Sequence, residues 1–405
     1  MDIRRVVTAG LCTQCGTCAA LCPRGAIAMD WSVRDGYVPR VDDDRCNDCG
    51  ICVDVCPGEG LDFTEHAWWR ADNEGVPTQD FLGPWRSLSV GWAADERTRF
   101  LGASGGIATA ILQGALERDL IDAALVCRTD PEQPLRAEPV VARTPDEVAA
   151  CRGSKYNVVD TNVLLRRVID EPGRYALVGL PCHIQGFRLA RERSRTLRER
   201  VVFTMGIFCG WTAKPRATEV EALRSGLDPR RLRAVSYRGP GWPGPLRLET
   251  QAGEVRELAF PDYFYRCVRS STLLRCRLCP DALAELADLS VGDTWLDRYD
   301  GTPGVSDLVV RTTRGERVVE AVAGDRLTLF DSTPDEIVTT QLATMTQKRG
   351  LSRGRMWLRR MARRPRPHNP GVSLRPTASD RWAAVRDLAG EAHRWVETVR
   401  YPSRS

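Results

Sequence analysis

Short apolar runs punctuated by glycine and proline, rather than long helical stripes, set the rhythm of this chain. Near the front, Ala26-Ile27-Ala28-Met29, Tyr37-Val38-Pro39 and Leu61-Asp62-Phe63 predict the strands of a small βαββαβ unit. Residues 66–97 carry Trp68, Trp69, Trp85 and Trp92 without periodicity, which predicts a linker that packs between domains. From Phe100 the pattern changes. Gly102-Ala103-Ser104-Gly105-Gly106 running into Ile107-Ala108-Thr109-Ala110-Ile111-Leu112 predicts a tight turn entering a helix, and Ile121–Val126 predicts a buried strand. Thr144 ahead of Glu147 predicts a capped helix over 145–151. A helix through Leu164 and Val168, a strand at Tyr175–Gly179 and another at Val201–Phe208 follow, the alternation of an α/β domain with ligand-binding turns at its strand ends. Residues 231–260 predict antiparallel strands interrupted at 237–244, and Leu289–Trp295, Val305–Thr312 and Arg317–Ala323 complete the core.

Beyond residue 330 the character shifts again. Lys348–Arg366 holds nine basic residues and no acidic one, and Pro365, Pro367 and Pro370 stop any helix. Asp380–Val399 predicts an amphipathic helix with Trp382, Val385, Leu388, Ala392, Trp395 and Val399 on one stripe. A solvated basic helix face is the expected outcome for such a run, with anionic lipid or an acidic redox partner as the functional alternative and no nucleic acid expected.

Two cysteine runs alter this picture most. Cys12, Cys15, Cys18 and Cys22 precede Pro23, Cys46, Cys49, Cys52 and Cys56 precede Pro57, and all four pairs share one offset, so the stretch is an internal duplication. Zinc sites use two separated pairs of ligands. The spacing here is that of the bacterial ferredoxin run, in which the fourth cysteine ligates the other cluster. Cys12, Cys15, Cys18 and Cys56 are therefore expected to hold one [4Fe-4S] cluster, and Cys46, Cys49, Cys52 and Cys22 the second. Gly16 and Gly50 let the backbone approach the sulfur, and each proline ends the wrap.

Composition adds limits. A chain of 405 residues, 42% hydrophobic and 27% charged, has room for two or three domains. Eight of its fifteen cysteines lie in the two runs, and no charged-then-apolar leader opens it; both point to the reducing cytoplasm. No apolar run approaches the roughly 20 residues needed to span a bilayer, so membrane contact would be peripheral, through the basic tail. A net charge of +5 says little about partners.

Four further turns carry candidate chemistry. Ser104, Gly105 and Gly106, with Thr109 in the first turn of the helix, offer N–H groups and a positive dipole end to a phosphate or to the electron-rich edge of a flavin. Gly153-Ser154-Lys155-Tyr156 adds a cation, a hydroxyl and an aromatic plane; a lysine near a flavin carbonyl would stabilise the reduced ring. Pro181-Cys182 and Cys209 follow buried strands, and together with Cys276 and Cys279 they are enough for a third cluster. Inert burial is the competing reading, and it is the one given to Cys127, Cys151 and Cys267. His183 is a candidate proton relay, set against a hydrogen-bonded structural histidine. Asp293 stands just past a strand.

Taken in order, Gly102–Gly106, Gly153–Tyr156, Gly179-Leu180-Pro181-Cys182-His183-Ile184-Gln185, Gly241-Trp242-Pro243-Gly244 and the block from Cys276 through Cys279-Pro280-Asp281 to Asp293 resemble the family of coenzyme F420 hydrogenase and dehydrogenase beta subunits. The resemblance covers about residues 98–330, with a two-cluster ferredoxin fused in front. It implies FAD, an iron–sulfur cluster in the flavin domain and, in many members, coenzyme F420 as hydride partner. The implied activity is an oxidoreductase that passes electrons between F420 and one-electron carriers. A ferredoxin-fed FAD reductase of an organic substrate, like the plant hydroxymethyl chlorophyll reductase, and an electron-transfer subunit of a larger complex stay open. The expected architecture is a ferredoxin domain (1–66), a Trp-rich linker (67–97), an α/β flavin domain in two parts (98–180 and 181–330) and a basic helical tail (331–405). Lys155 and His183 are the expected catalytic residues.

Overall fold

The duplicated cysteine runs fold alike because each needs the same turn. In the computed structural model, which describes residues 2–64, 74–79, 82–264, 271–372 and 375–387, Gly16 (φ 85°) and Gly50 (φ 77°) are left-handed N-caps of the short helices Thr17–Leu21 and Ile51–Asp54. Between these helices, β1 (Ile27–Ser32) and β2 (Gly36–Val41) pair antiparallel. Leu61–Phe63 does not join them. Its Leu61 N–H donates to Asn369 Oδ1 (3.3 Å) and its Phe63 N–H to the Pro370 carbonyl (3.1 Å), so the tail supplies the partners a sheet edge would have given.

The rest of the strands are β3 (Thr78–Gln79), β4 (Gly83–Pro84), β5 (Ser87–Ala93), β6 (Ala123–Thr129), β7 (Ala137–Ala142), β8 (Tyr175–Gly179), β9 (Val201–Ile207), β10 (Leu232–Ser236), β11 (Leu246–Thr250), β12 (Val255–Leu258), β13 (Leu289–Asp293), β14 (Ser306–Val310) and β15 (Leu327–Asp331). Eight of them form one sheet in the order β15-β5-β14-β13-β9-β8-β6-β7, and β10, β11 and β12 form a separate meander. The central β13, β9, β8 and β6 run parallel. Both of their faces are covered, which is why they read as continuous apolar runs. Along β8, Tyr175 and Leu177 face the helix Pro181–Arg193, while Ala176 faces the side of Ile107–Glu117. The parallel arrangement brings the C-terminal ends of β6, β8, β9 and β13 to one edge, where open α/β sheets place ligands.

The front domain is not a separate bead. Ala20, Leu21, Val55, Leu61 and Phe63 belong to the same apolar cluster as Leu177, Ile184 and Phe187. Gly16 lies at this junction: a Cβ there would come within 2.6 Å of the Asp160 carbonyl and 2.9 Å of the Val163 nitrogen, whereas nothing lies within 4 Å of one at Gly50. Gly50→Ala is expected to cost about 1–2 kcal/mol for its left-handed backbone alone. Gly16→Ala is expected to cost clearly more, because backbone atoms cannot yield. Anaerobic thermal melts of the two variants make the comparison, and equal losses would remove the junction from the explanation.

Two expectations change here. The stretch expected to be a linker contains β5, which pairs with β14 on one side and β15 on the other. Its alternation of buried Leu88 and Val90 is the strand signal, obscured by tryptophans. Trp92 rests on Phe330 with ring centroids 5.5 Å apart; Trp68 and Trp69 lie outside the described residues. The basic run is solvated only in part: Arg360, Arg363, Arg364 and Arg366 are exposed as expected, whereas its start is folded in. Helix Pro334–Met345 passes through a π-helical turn, Thr346–Leu351, into Ser352–Met361, burying Ile337, Met345, Lys348, Arg349 and Met356. In the helix over 378–387, Trp382 and Val385 are exposed and Ala384 is buried, against the expected stripe. Leu388, Ala392, Trp395 and Val399 lie outside the described residues.

Candidate redox site

The two cysteine runs surround two small cavities. Cys12, Cys15, Cys18 and Cys56 line one; Cys46, Cys49, Cys52 and Cys22 line the other. All eight thiols are free. Burial pushes the Cys12 thiol up to about 12, with the Cys15 sulfur adding to the rise, and Cys18 and Cys56 are raised in the same way. Soft sulfurs crowded without a countercharge suit a cationic iron–sulfide core. Donors point at them too: Gln14 N–H to Cys12 (3.4 Å) and Ala26 N–H to Cys22 (3.2 Å). The residues present fit the group. The second set reaches the surface through exposed Cys49, flanked by exposed Asp42, Asp43, Asp44 and Asp48.

A third group of sulfurs comes from distant parts of the chain. Cys182 is the second residue of the helix Pro181–Arg193, Cys209 follows β9, and Cys276 and Cys279 lie in and just after the helix Leu274–Arg277. Burial raises the Cys182 thiol, and the sulfurs of Cys15, Cys276, Cys209 and Cys279 raise it further. Among the described residues, no three His, Cys, Asp or Glu side chains stand close enough for a single metal ion; a four-iron cube is a wider object, and a shared field is what groups these thiols. Cys15 in that field ties the group to the first cavity. The link is mechanical as well. Asn162, fully buried, donates through Nδ2 to Thr17 Oγ1 (2.8 Å) and to the His183 carbonyl (2.8 Å), and its N–H reaches the Cys15 carbonyl (2.9 Å). Arg275 Nη2 donates to the Pro57 carbonyl (2.8 Å).

At the C-terminal edge of the parallel strands opens a cavity of about 270 Å³. Ser104, Gly106, Thr109, Gly153, Ser154, Lys155, Tyr156, His183, Asp293 and Cys209 all line it. Gly105 and Pro181 do not. The Gly105 N–H is turned to Ser306 Oγ (2.9 Å), and Pro181 is buried as the first residue of its helix, where a missing N–H does no harm. Gly106, left-handed at φ 77°, lets the helix Ile107–Glu117 begin with its N-terminus at the cavity. Apolar walls come from Val126, Val178, Ile207, Trp211 and Phe264, together with Cys127 and Cys151; Cys267 lies outside the described residues.

Both expected catalytic residues are otherwise engaged. Lys155 Nζ donates to the carbonyls of Cys151, Arg152 (3.0 Å) and Gly153 (3.0 Å), which spends all three ammonium protons on stapling its own loop. His183 accepts the Leu180 N–H at Nδ1 (3.1 Å) and donates from Nε2 to the Val159 carbonyl (2.9 Å). Burial lowers its pKa to about 4, so the ring is neutral, with both nitrogens engaged by the backbone. Asp293 is paired with Arg238 (2.9 Å), a residue that no sequence motif singles out. Arg238 is buried with its Cζ 4.8 Å from the ring centroids of both Trp242 and Phe260, and its Nη2 has no hydrogen-bond partner among the described residues. Trp295, 40% exposed, stacks on Phe260 at 5.2 Å and tilts against Trp242 at 4.6 Å. The Gly241–Gly244 segment carries part of this platform; the guanidinium beneath it was legible only as one arginine among many.

Comparison with known proteins agrees along the chain. Residues 11–59 match a 4Fe-4S dicluster domain. Residues 88–166 and 173–335 match the N-terminal and C-terminal models of coenzyme F420 hydrogenase/dehydrogenase, beta subunit. The coenzyme F420-dependent sulfite reductase of Methanocaldococcus jannaschii is 25% identical over 79% of this chain, which spans 47% of that longer protein. A subunit of the F(420)H(2) dehydrogenase of Methanosarcina mazei is 24% identical over 85% of this chain and 92% of its own length. A chain of the F420-reducing [NiFe] hydrogenase complex from Methanosarcina barkeri shares the fold, with a TM-score of 0.55 and 21% identity over 67% of this chain and 93% of that one. On the two beta-subunit models and the dicluster match, this chain belongs to the family of coenzyme F420 hydrogenase/dehydrogenase beta subunits and carries a 4Fe-4S domain at its front.

Proposed function

We propose that this chain is an iron–sulfur flavoprotein oxidoreductase that passes electrons between coenzyme F420 and a one-electron carrier or partner subunit, with FAD in the large cavity and [4Fe-4S] clusters on the three cysteine groups. The observation that carries the proposal is the position of Cys209, which lines the cavity and also belongs to the third group of sulfurs. That group neighbours Cys15 of the first cavity. On this reading the cysteine groups form one series from surface to cavity. A flavin exchanges a hydride pair on one side and single electrons on the other, which is the conversion between F420 and iron–sulfur carriers.

Within this reading the helix start at Ser104, Gly106 and Thr109 holds negative charge, and the loop Gly153–Tyr156, stapled by Lys155, forms one wall. Trp211 and Phe264 exclude water from the same space. The rim of Trp242, Phe260 and Trp295 receives the flat ring of F420, with the buried Arg238 guanidinium supplying positive charge beneath it. The exposed acidic edge around Cys49 is where a redox partner, a ferredoxin or a catalytic subunit, would meet the second cluster. Among the described residues no helix is long and apolar enough to cross a membrane, and free thiols in this number suit a reducing cytoplasm.

Anaerobic stopped-flow mixing with reduced F420 tests the proposal. Flavin absorbance is expected to bleach within the first turnover, followed by slower loss of the broad iron–sulfur absorbance. No bleaching at any F420 concentration, with ready bleaching by reduced ferredoxin, would replace F420 as the donor.

A further inference from the structure

Lys348 stands at the head of the basic run, yet it is 3% exposed. Its place in the fold comes from the π-helical turn Thr346–Leu351, an irregularity that rotates one residue out of α-helical register and that recurs at functional sites. This turn packs on the helix Leu274–Arg277, which carries Cys276. Just before it, the Thr344 side chain lies beside Gly210, 3.8 Å from where a Cβ would stand, and Gly210 follows Cys209. The neighbouring cation on the turn, Arg349, already has a carboxylate in Glu285. For Lys348 the surrounding charges are different. The groups acting on it are the sulfurs of Cys279, Cys209, Cys276 and Cys182.

We propose that Lys348 is the charge-setting residue of the third sulfur group: a buried cation, placed by the π-turn against Cys182, Cys209, Cys276 and Cys279, that raises the reduction potential of the cluster those residues hold. The inference rests on the third-cluster reading above. Adding an electron to a thiolate-ligated cube increases its negative charge, and a cation in a poorly screened interior favours that reduced form. The cluster beside the cavity is thereby made a better acceptor than it would be without Lys348. Lys348 donates no proton in this role.

Lys348→Met removes the charge at similar length, and Lys348→Arg keeps it. Anaerobic holoprotein is analysed for iron and then titrated electrochemically under EPR. Wild type is expected to hold about twelve irons in three clusters. In Lys348→Met one cluster is expected to become at least tenfold harder to reduce, which is about 59 mV for one electron, while the other two stay put; Lys348→Arg restores the value. Loss of that cluster from Lys348→Met but not from Lys348→Arg also supports the inference. Full iron with unmoved potentials in Lys348→Met overturns it, as does loss of the cluster from both variants, which marks packing. About eight irons in wild type would end the third-cluster reading itself, an outcome visible before any variant is made.

Discussion

Alanine in place of both Cys22 and Cys49 is expected to cost the anaerobic protein about four irons, whereas alanine in place of both Cys12 and Cys22 costs about eight. The asymmetry follows from the cavities. Cys22 closes the set that contains Cys49, although it is nearer in sequence to Cys12. Two thiols removed from one set empty one site; two removed across sets empty both. Changes in the outer shell of a metal already cost roughly 10–100-fold, so losing a ligand should slow reduction of an external one-electron acceptor by at least on the order of a hundredfold. Reduction of the flavin by F420, which happens at the far end of the series, should be untouched. Iron and sulfide analysis decides the matter: about eight irons lost from the Cys22/Cys49 pair and about four from the Cys12/Cys22 pair would mean that each run folds on itself.

Legibility in the sequence tracked the range of the interaction. The cysteine runs, the Thr144 capping box and the glycine turn ahead of Ile107 are local, and each is read from a short stretch; the capping box is present with both of its hydrogen bonds. The Lys155 and His183 segments, singled out by residue type, both line the cavity. What those atoms do depends on carbonyls at Cys151, Arg152, Gly153 and Val159, and no side-chain pattern advertises a carbonyl. The tail was the opposite case. A run of basic residues ordinarily means solvent, and Lys348 and Arg349 escape that rule because the π-turn packs on the distant helix Leu274–Arg277 and Arg349 meets Glu285 there. Similarly, β5 hides among tryptophans because its partners β14 and β15 lie far along the chain.

Arg238→Met should produce the second large effect, confined to the F420 step. Arg238 is held from both sides, by aromatic rings at 4.8 Å and by Asp293 at 2.9 Å, so its fork is oriented before any ligand arrives. Removing one partner of a buried charge pair costs about 2–5 kcal/mol, which at about 1.4 kcal/mol per decade is roughly 30-fold to several thousandfold in kcat/KM for reduced F420. Part of that loss reflects Asp293 left unpaired, and Asp293→Asn in the same background separates the two: it relieves the stranded carboxylate without restoring the cation. A lysine at this position would keep the charge but not the planar fork, so Arg238→Lys should recover only part of the rate. FAD content and bleaching by dithionite should match wild type in the two variants changed at Arg238 alone, because the cavity lining, including the helix start at Gly106 and the loop at Gly153, is unaltered. A kcat/KM for F420 that survives Arg238→Met would move the docking site away from the Trp242 and Trp295 rim, while the cysteine series behind it would stand on its own observations.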